Sequence, residues 1–275
     1  MIAYLDTNAF DHIYGKVGCT GADIANLRKA IYGRQLSIRL SIHTLEEILL
    51  GRKVSPQALA AQIKLTLSLA SSRTLVKPCA QLLLDDIRSY AARGEADRPF
   101  LRGELQNAVA DGIAALIESD GEEMEDDFLA ALEQARLDKR HFSATLEQVR
   151  QHVQAISRPP SGWSSFQQYI EAAASPALKT LADAAGVSGQ CHQRGLDALL
   201  NLKSVRASVC AGLAPGYKQV PASATQDSTT LHHPVCAAAV AESFISDISA
   251  SRDLVSRLSI EGLSVTGLPE FLKAL

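Results

Sequence analysis

The chain opens MIAYLDTNAF, Met1–Phe10, and the reading of this stretch decides the fold. Ile2–Leu5 is a short apolar run, the pattern of a buried strand, and it stops on Asp6, Thr7 and Asn8. Turn chemistry accounts for such an ending, because Asp and Asn side chains bond nearby backbone N–H groups at strand ends and helix starts. Whether Asp6 does more depends on whether carboxylates recur at the ends of other strands.

Working outward, Ile24, Leu27, Ala30 and Ile31 recur at helical spacing and predict a helix over 22–33. LSIRLS, Leu36–Ser41, alternates apolar and polar residues and predicts a second strand, followed by a helix from Leu45 capped by Thr44. Ser55-Pro56 predicts a helix start, with Pro56 in the first helical position, running to about Leu69. TLVKP, Thr74–Pro78, reads as a third strand.

The text from Cys79 to about Gly212 is helical. The expected helices are 80–92, 103–117, 123–156, 163–173, 177–185 and 194–210. Residues 214–230 read as a loop rich in Pro, Gly, Ser and Thr. Strand and helix then alternate again: a helix over 233–242, the strand SFIS at Ser243–Ser246, a helix carrying Leu254 and Leu258, the strand LSVT at Leu263–Thr266 and a terminal helix from Pro269. Strands alternating with helices imply α/β architecture, a small parallel sheet flanked by helices. The expected division is one discontinuous α/β domain, 1–78 and 222–275, with an all-helical insertion over 79–221.

Composition sets bounds. The chain has 275 residues, 47% of them apolar and 21% charged, enough for a sizeable core. A net charge of −3 carries no global nucleic-acid signature, so any anionic partner must meet a local basic patch. Five cysteines without CxxC spacing read as free thiols of a reducing compartment rather than disulfides or a zinc site. With no apolar run of about 18 residues, the expectation is a soluble, cytoplasmic protein.

Carboxylates do recur. Glu47 follows the second strand, Asp227 precedes a helix, and Asp247 directly follows SFIS. In an open parallel sheet, ligands bind beyond the carboxyl ends of the strands, so these acids would share one cleft with Asp6. Like charges gathered that closely require a cation, and hard oxygen ligands suit Mg²⁺ or Mn²⁺. Such an ion activates water and stabilises displacement at phosphorus.

At this point the sequence resembles the PIN-domain nucleases. The resemblance rests on YLDTN, Tyr4–Asn8; on SIHTLEE, Ser41–Glu47, which selects Glu47 over Glu46; on Asp227–Asp247; and on the closing LSVTGLPEFLKAL, Leu263–Leu275. Two departures are visible: the long insertion before the third acid, and Asp247 placed directly after Ser246 without a spacer. The resemblance implies a PIN-like fold and a metal-dependent endoribonuclease. Asp6, Glu47, Asp227 and Asp247 would hold Mg²⁺ or Mn²⁺, with Thr7 and Asn8 in support and single-stranded RNA as substrate. Asp247 is preferred to Asp253 as the fourth acid because it stands at the strand end.

Other residues take blander readings. His232 and His233 suit surface or capping positions. The acidic stretch Ser119–Asp127 suits a solvated helix start, and Arg136–His141 lies further along the same helix, in keeping with its macrodipole and with access to a phosphate backbone. Trp163, Phe166 and Tyr169 suit a core. Two rival functions stand beside the nuclease. One is a non-catalytic PIN-like module binding RNA or protein, the insertion serving as a partner or self-association surface. The other is a haloacid-dehalogenase-type phosphatase, which needs a second Asp where Asn8 stands.

Overall fold

The computed structural model describes residues 1–51, 55–70, 74–156, 165–214, 231–258, 260 and 262–275. Four short strands form one parallel sheet: β1 (Ile2–Leu5), β2 (Ser37–Arg39), β3 (Ser243–Ile245) and β4 (Ser264–Thr266), in the order β2-β1-β3-β4. Register pairs Ala3 with Ile38 on one side and Tyr4 with Phe244 on the other, and Phe244 with Val265 beyond. The strands nearest the two chain ends therefore share a sheet, although about 200 residues separate β2 from β3 along the chain. Parallel strands need helical crossovers, and helices fill every connection. The chain leaves β1 towards β2 and later returns to β1's opposite side as β3, which makes a topological switch point between β1 and β3.

The helices are α1 (Thr7–Gly15), α2 (Gly21–Tyr32), α3 (Ile42–Leu50), α4 (Pro56–Leu69), α5 (Cys79–Arg93), α6 (Gly103–Glu118), α7 (Asp126–Ile156), α8 (Phe166–Ala184), α9 (Ser188–Arg194), α10 (Lys203–Leu213), α11 (His232–Val240), α12 (Ser249–Leu258) and α13 (Leu268–Lys273), with a 3₁₀ turn at Leu196–Asn201. Several depart from the sequence reading. Thr7–Gly15 is helical because Asp6 accepts the Ala9 N–H at 2.8 Å, a helix N-cap that reads equally well as a plain strand end. Ser41, not Thr44, caps α3, accepting the Thr44 N–H. Val76 makes only isolated bridges to Ser41 and Phe100 in place of a third strand. Pro176 lies inside one continuous α8, whose Tyr169, Ala173, Ala177 and Leu181 are all buried; burial of that stripe outweighs the local break. The expected helix over 194–210 is interrupted at Gly195, φ +95°. Trp163 and the loop over 215–230 lie outside the described residues, as do the side chains of Leu254 and Leu258.

Alternation along β1 sends its side chains to two cores. Ala3 and Leu5 join α1 to α4, α6 and α13 on one face; Tyr4 joins α5, α8, α10 and α11 on the other. Helix α7 serves both, with Phe128 and Leu132 in the first core and Phe142, Leu146 and Val149 in the second. The helices of the 79–221 stretch thus pack in common cores with the sheet.

The contact between α6 and α7 is close enough to test. A Cβ built on Gly112 would lie 2.2 Å from Phe128 Cβ and 2.3 Å from its Cγ. In a free helix, Gly→Ala gains about 0.5–1 kcal/mol, while overpacking costs roughly 1–3 kcal/mol. Phe128 is wholly buried with no room to retreat. Gly112→Ala is therefore expected to lower the thermal midpoint by roughly 3–6 °C, read by circular dichroism; a rise would mean that the helices separate freely.

Candidate metal centre

Asp6 stands at the carboxyl end of β1, where its backbone N–H donates to Ile245 O at 3.1 Å across the switch point. It is only 3% exposed. Burial raises the Asp6 pKa, while His233, Ser246 and the Ala9 N–H pull the other way. Glu47 sits on α3, the helix that follows β2 at the same edge of the sheet. Together Asp6 and Glu47 line a cavity of about 300 Å³, with Thr7, Asn8, His232 and His233.

His232 and His233 are buried, 2% and 6% exposed, which corrects the surface reading. They open α11, HHPVCAAAV, a helix apolar along its remaining length. A helix that is apolar all round is buried all round, and that composition was the available signal. His233 Nε2 lies 3.0 Å from Glu47 Oε2, and its Nδ1 lies 2.7 Å from the Tyr4 hydroxyl, itself 2.7 Å from Ser41 Oγ. His232 Nε2 lies 2.8 Å from Glu47 Oε1, and its Nδ1 has no hydrogen-bond partner among the described residues.

Thr7 Oγ1 donates to Glu47 Oε2, and Lys139 of α7 donates to Oε1 at 3.1 Å. Burial opposes ionisation of Glu47, but His233 and His232 outweigh it and hold the carboxyl well below the usual carboxylate range. Burial, with His233 beside it, lowers the His232 pKa to about 4. Glu47 is thus a carboxylate, and His232 a neutral imidazole, at neutral pH. The neighbouring Glu46 is buried and paired with Arg136 and Lys139. Those two cations belong to the stretch Arg136–His141, expected from sequence further along a charged helix; they face the acids of α3 rather than a phosphate backbone.

Asp247 does not line this cavity. Its oxygens meet His12 Nδ1 at 2.6 Å and the Leu268 N–H at 2.7 Å, with Arg252 4.0 Å away, so it ties α1 to the start of α13. Asp253 is exposed on α12. Asp227 lies outside the described residues.

No protein-family model, curated protein or solved structure matches the chain. The chemistry of the site therefore rests on its own atoms. Among the described residues, two groups have ligand atoms close enough to hold a metal ion: Glu47, His232 and His233, and a second set of His43, Cys79 and Asp138. In the second set Asp138 accepts the N–H groups of Ala80 and Gln81, both at 2.9 Å, and His43 Nε2 accepts the Cys79 N–H at 3.0 Å. That pattern caps the N-terminus of α5. Burial, with Asp138 nearby, pushes the Cys79 thiol far above its ordinary pKa, so it is no nucleophile.

A larger hollow of about 550 Å³ lies elsewhere, between α5 and the segment before α6. Its buried Lys77 bridges Asp85 at 2.7 Å and Asp97 at 2.6 Å, and Arg93 and Arg102 also reach Asp97. The cations there are matched by carboxylates. No described helix is long and apolar enough to cross a membrane.

Proposed function

We propose that the cavity at the switch point is the active site of a metal-dependent ribonuclease that hydrolyses single-stranded RNA. The observation that carries the reading is the meeting of Asp6 and Glu47 in one hollow, beside the buried His232, whose Nδ1 has no hydrogen-bond partner among the described residues. A hollow of this kind fits a divalent cation, because the buried Asp6 carboxylate, the half-buried Glu47 carboxylate and the imidazole nitrogens beside them are all electron donors. Asp6 and Glu47 would hold Mg²⁺ or Mn²⁺, with Asp227 as the further acid suggested by the sequence; Asp247, turned to His12 and the Leu268 N–H, would stand outside the set. Bound there, the ion supplies an activated water and charge neutralisation at the phosphodiester.

The remaining steps belong to the chain. Thr7, donating to Glu47, holds that carboxylate in one orientation. The Asn8 amide lines the same hollow and can donate to a phosphate oxygen. Burial keeps bulk water from competing for the carboxylates. The phosphatase alternative needs a carboxylate acid or base two residues after Asp6, and Asn8 cannot supply it. A non-catalytic module would bind RNA without turnover.

The test uses end-labelled single-stranded RNA and the full chain. Cleavage is expected with Mg²⁺ or Mn²⁺ and is expected to stop with EDTA. Cleavage that persists in EDTA would rule out the metal mechanism, and binding without cleavage would favour the module.

A further inference from the structure

We propose that Glu47, His232 and His233 form a three-ligand site for a transition-metal ion of the manganese–zinc group, with magnesium discriminated against. This deepens the metal-centre reading and rests on it, but it does not rest on RNA cleavage.

The geometry points that way in three respects. First, the three side chains offer ligand atoms that all lie within 4.8 Å of one another and open on the same hollow. Two imidazoles and a carboxylate, leaving the cavity side free, is a donor set of open metal sites; imidazole nitrogen favours Zn²⁺ over Mg²⁺, which prefers oxygen alone.

Second, His232 is buried, its Nε2 lies 2.8 Å from Glu47 Oε1, and its Nδ1 has no hydrogen-bond partner among the described residues. A neutral imidazole always carries one N–H and one lone pair. With the N–H on Nδ1, the Nε2 lone pair faces the Glu47 carboxylate, an arrangement that a cation between the two relieves.

Third, a supporting shell is already built. The Tyr4 hydroxyl stands 2.7 Å from His233 Nδ1 and is itself anchored at Ser41, which can fix the ring so that Nε2 faces Glu47. Lys139, the cation now on Glu47, also pairs with Glu46 and so keeps a partner if the metal takes its place.

The test strips the full chain with EDTA and titrates it with Co²⁺ as a spectroscopic probe, then with Zn²⁺ and Mg²⁺ as competitors. One Co²⁺ is expected to bind, with visible d–d absorption and without thiolate charge-transfer bands. Zn²⁺ is expected to displace it at stoichiometric amounts, whereas Mg²⁺ needs roughly 100-fold or greater excess. His233→Gln and Glu47→Gln are expected to weaken Zn²⁺ binding by at least about tenfold while keeping the native far-UV spectrum. The Mg²⁺ competition needs no variant, so it stands even if a substitution impairs folding. No cobalt binding, equal competition by Mg²⁺, retained affinity in folded variants, or thiolate bands pointing to Cys79 would each overturn the proposal. Cobalt binding without RNA cleavage would leave this site standing and remove the nuclease reading. Magnesium-supported cleavage without a cobalt site would do the reverse.

Discussion

Asp6→Asn is expected to lose RNA cleavage by about 1,000-fold while unfolding at the same temperature as the unmodified chain or slightly higher. The two effects have separate causes. The capping role needs only an acceptor oxygen for the Ala9 N–H, and the asparagine carbonyl supplies one. The charge is an expense to the fold, because burial raises the pKa of Asp6. Removing it relieves that penalty and at the same time removes a charge able to neutralise a cation. Thermal unfolding and a cleavage assay on the same preparation check the prediction. A variant that unfolds early and cleaves normally would make Asp6 a cap and nothing more.

The largest effect on stability is expected at Lys77. Lys77 is 4% exposed, and its ammonium sits between Asp85 and Asp97. Lys77→Met keeps the stem but leaves two carboxylates facing each other, and breaking a buried pair costs roughly 3–5 kcal/mol. The variant should therefore unfold about 10 °C lower at pH 7. The pH dependence carries a sign. Burial works against ionisation of Asp97, and Lys77 and Arg102 outweigh it, holding the carboxyl below its ordinary value. A carboxyl with a lowered folded pKa contributes stability above the unfolded value, near 3.9, and loses it as the pH falls through the folded one. The unmodified chain should thus lose stability steadily below about pH 4, and Lys77→Met should show a flatter acid limb. Identical acid limbs would mean that Asp97 owes its ionisation to Arg102.

The parts of the fold legible in the sequence are those whose signals are local. Ile2–Leu5 and Ser243–Ile245 are short apolar runs, and Ser55-Pro56 carries a cap and a first-turn proline in adjacent positions. The places where the reading failed involve choices between equivalent local signals. Asp6-Thr7-Asn8 ends a strand and caps a helix equally well, so α1 was invisible. Ser41 and Thr44 are both capping residues, and the bridge from Ser41 to Val76 helps to place Ser41 at the helix start. Pro176 signals a break that the buried stripe of α8 overrides.

The site divides the same way. Asp6 is legible from its place at a strand end, Glu47 is picked out over Glu46 by the resemblance of SIHTLEE to the PIN-domain pattern, and the two line one cavity. Lys139 is not legible, because it reaches Glu47 from 92 residues away on α7 and no local pattern encodes that contact. The two histidines read from sequence as surface or capping residues, and the structure buries them. Their neighbours Val235, Cys236, Ala237 and Ala238, all buried, carried the contrary signal, since a short helix apolar on every side has no solvent face to offer.

The most direct test of the metal centre is anomalous scattering from crystals of the full chain soaked in Mn²⁺. A single strong peak is expected in the hollow lined by Asp6, Glu47, His232 and His233. The absence of a peak there, or peaks confined to the acidic stretch Ser119–Asp127 or to His43, Cys79 and Asp138, would contradict it.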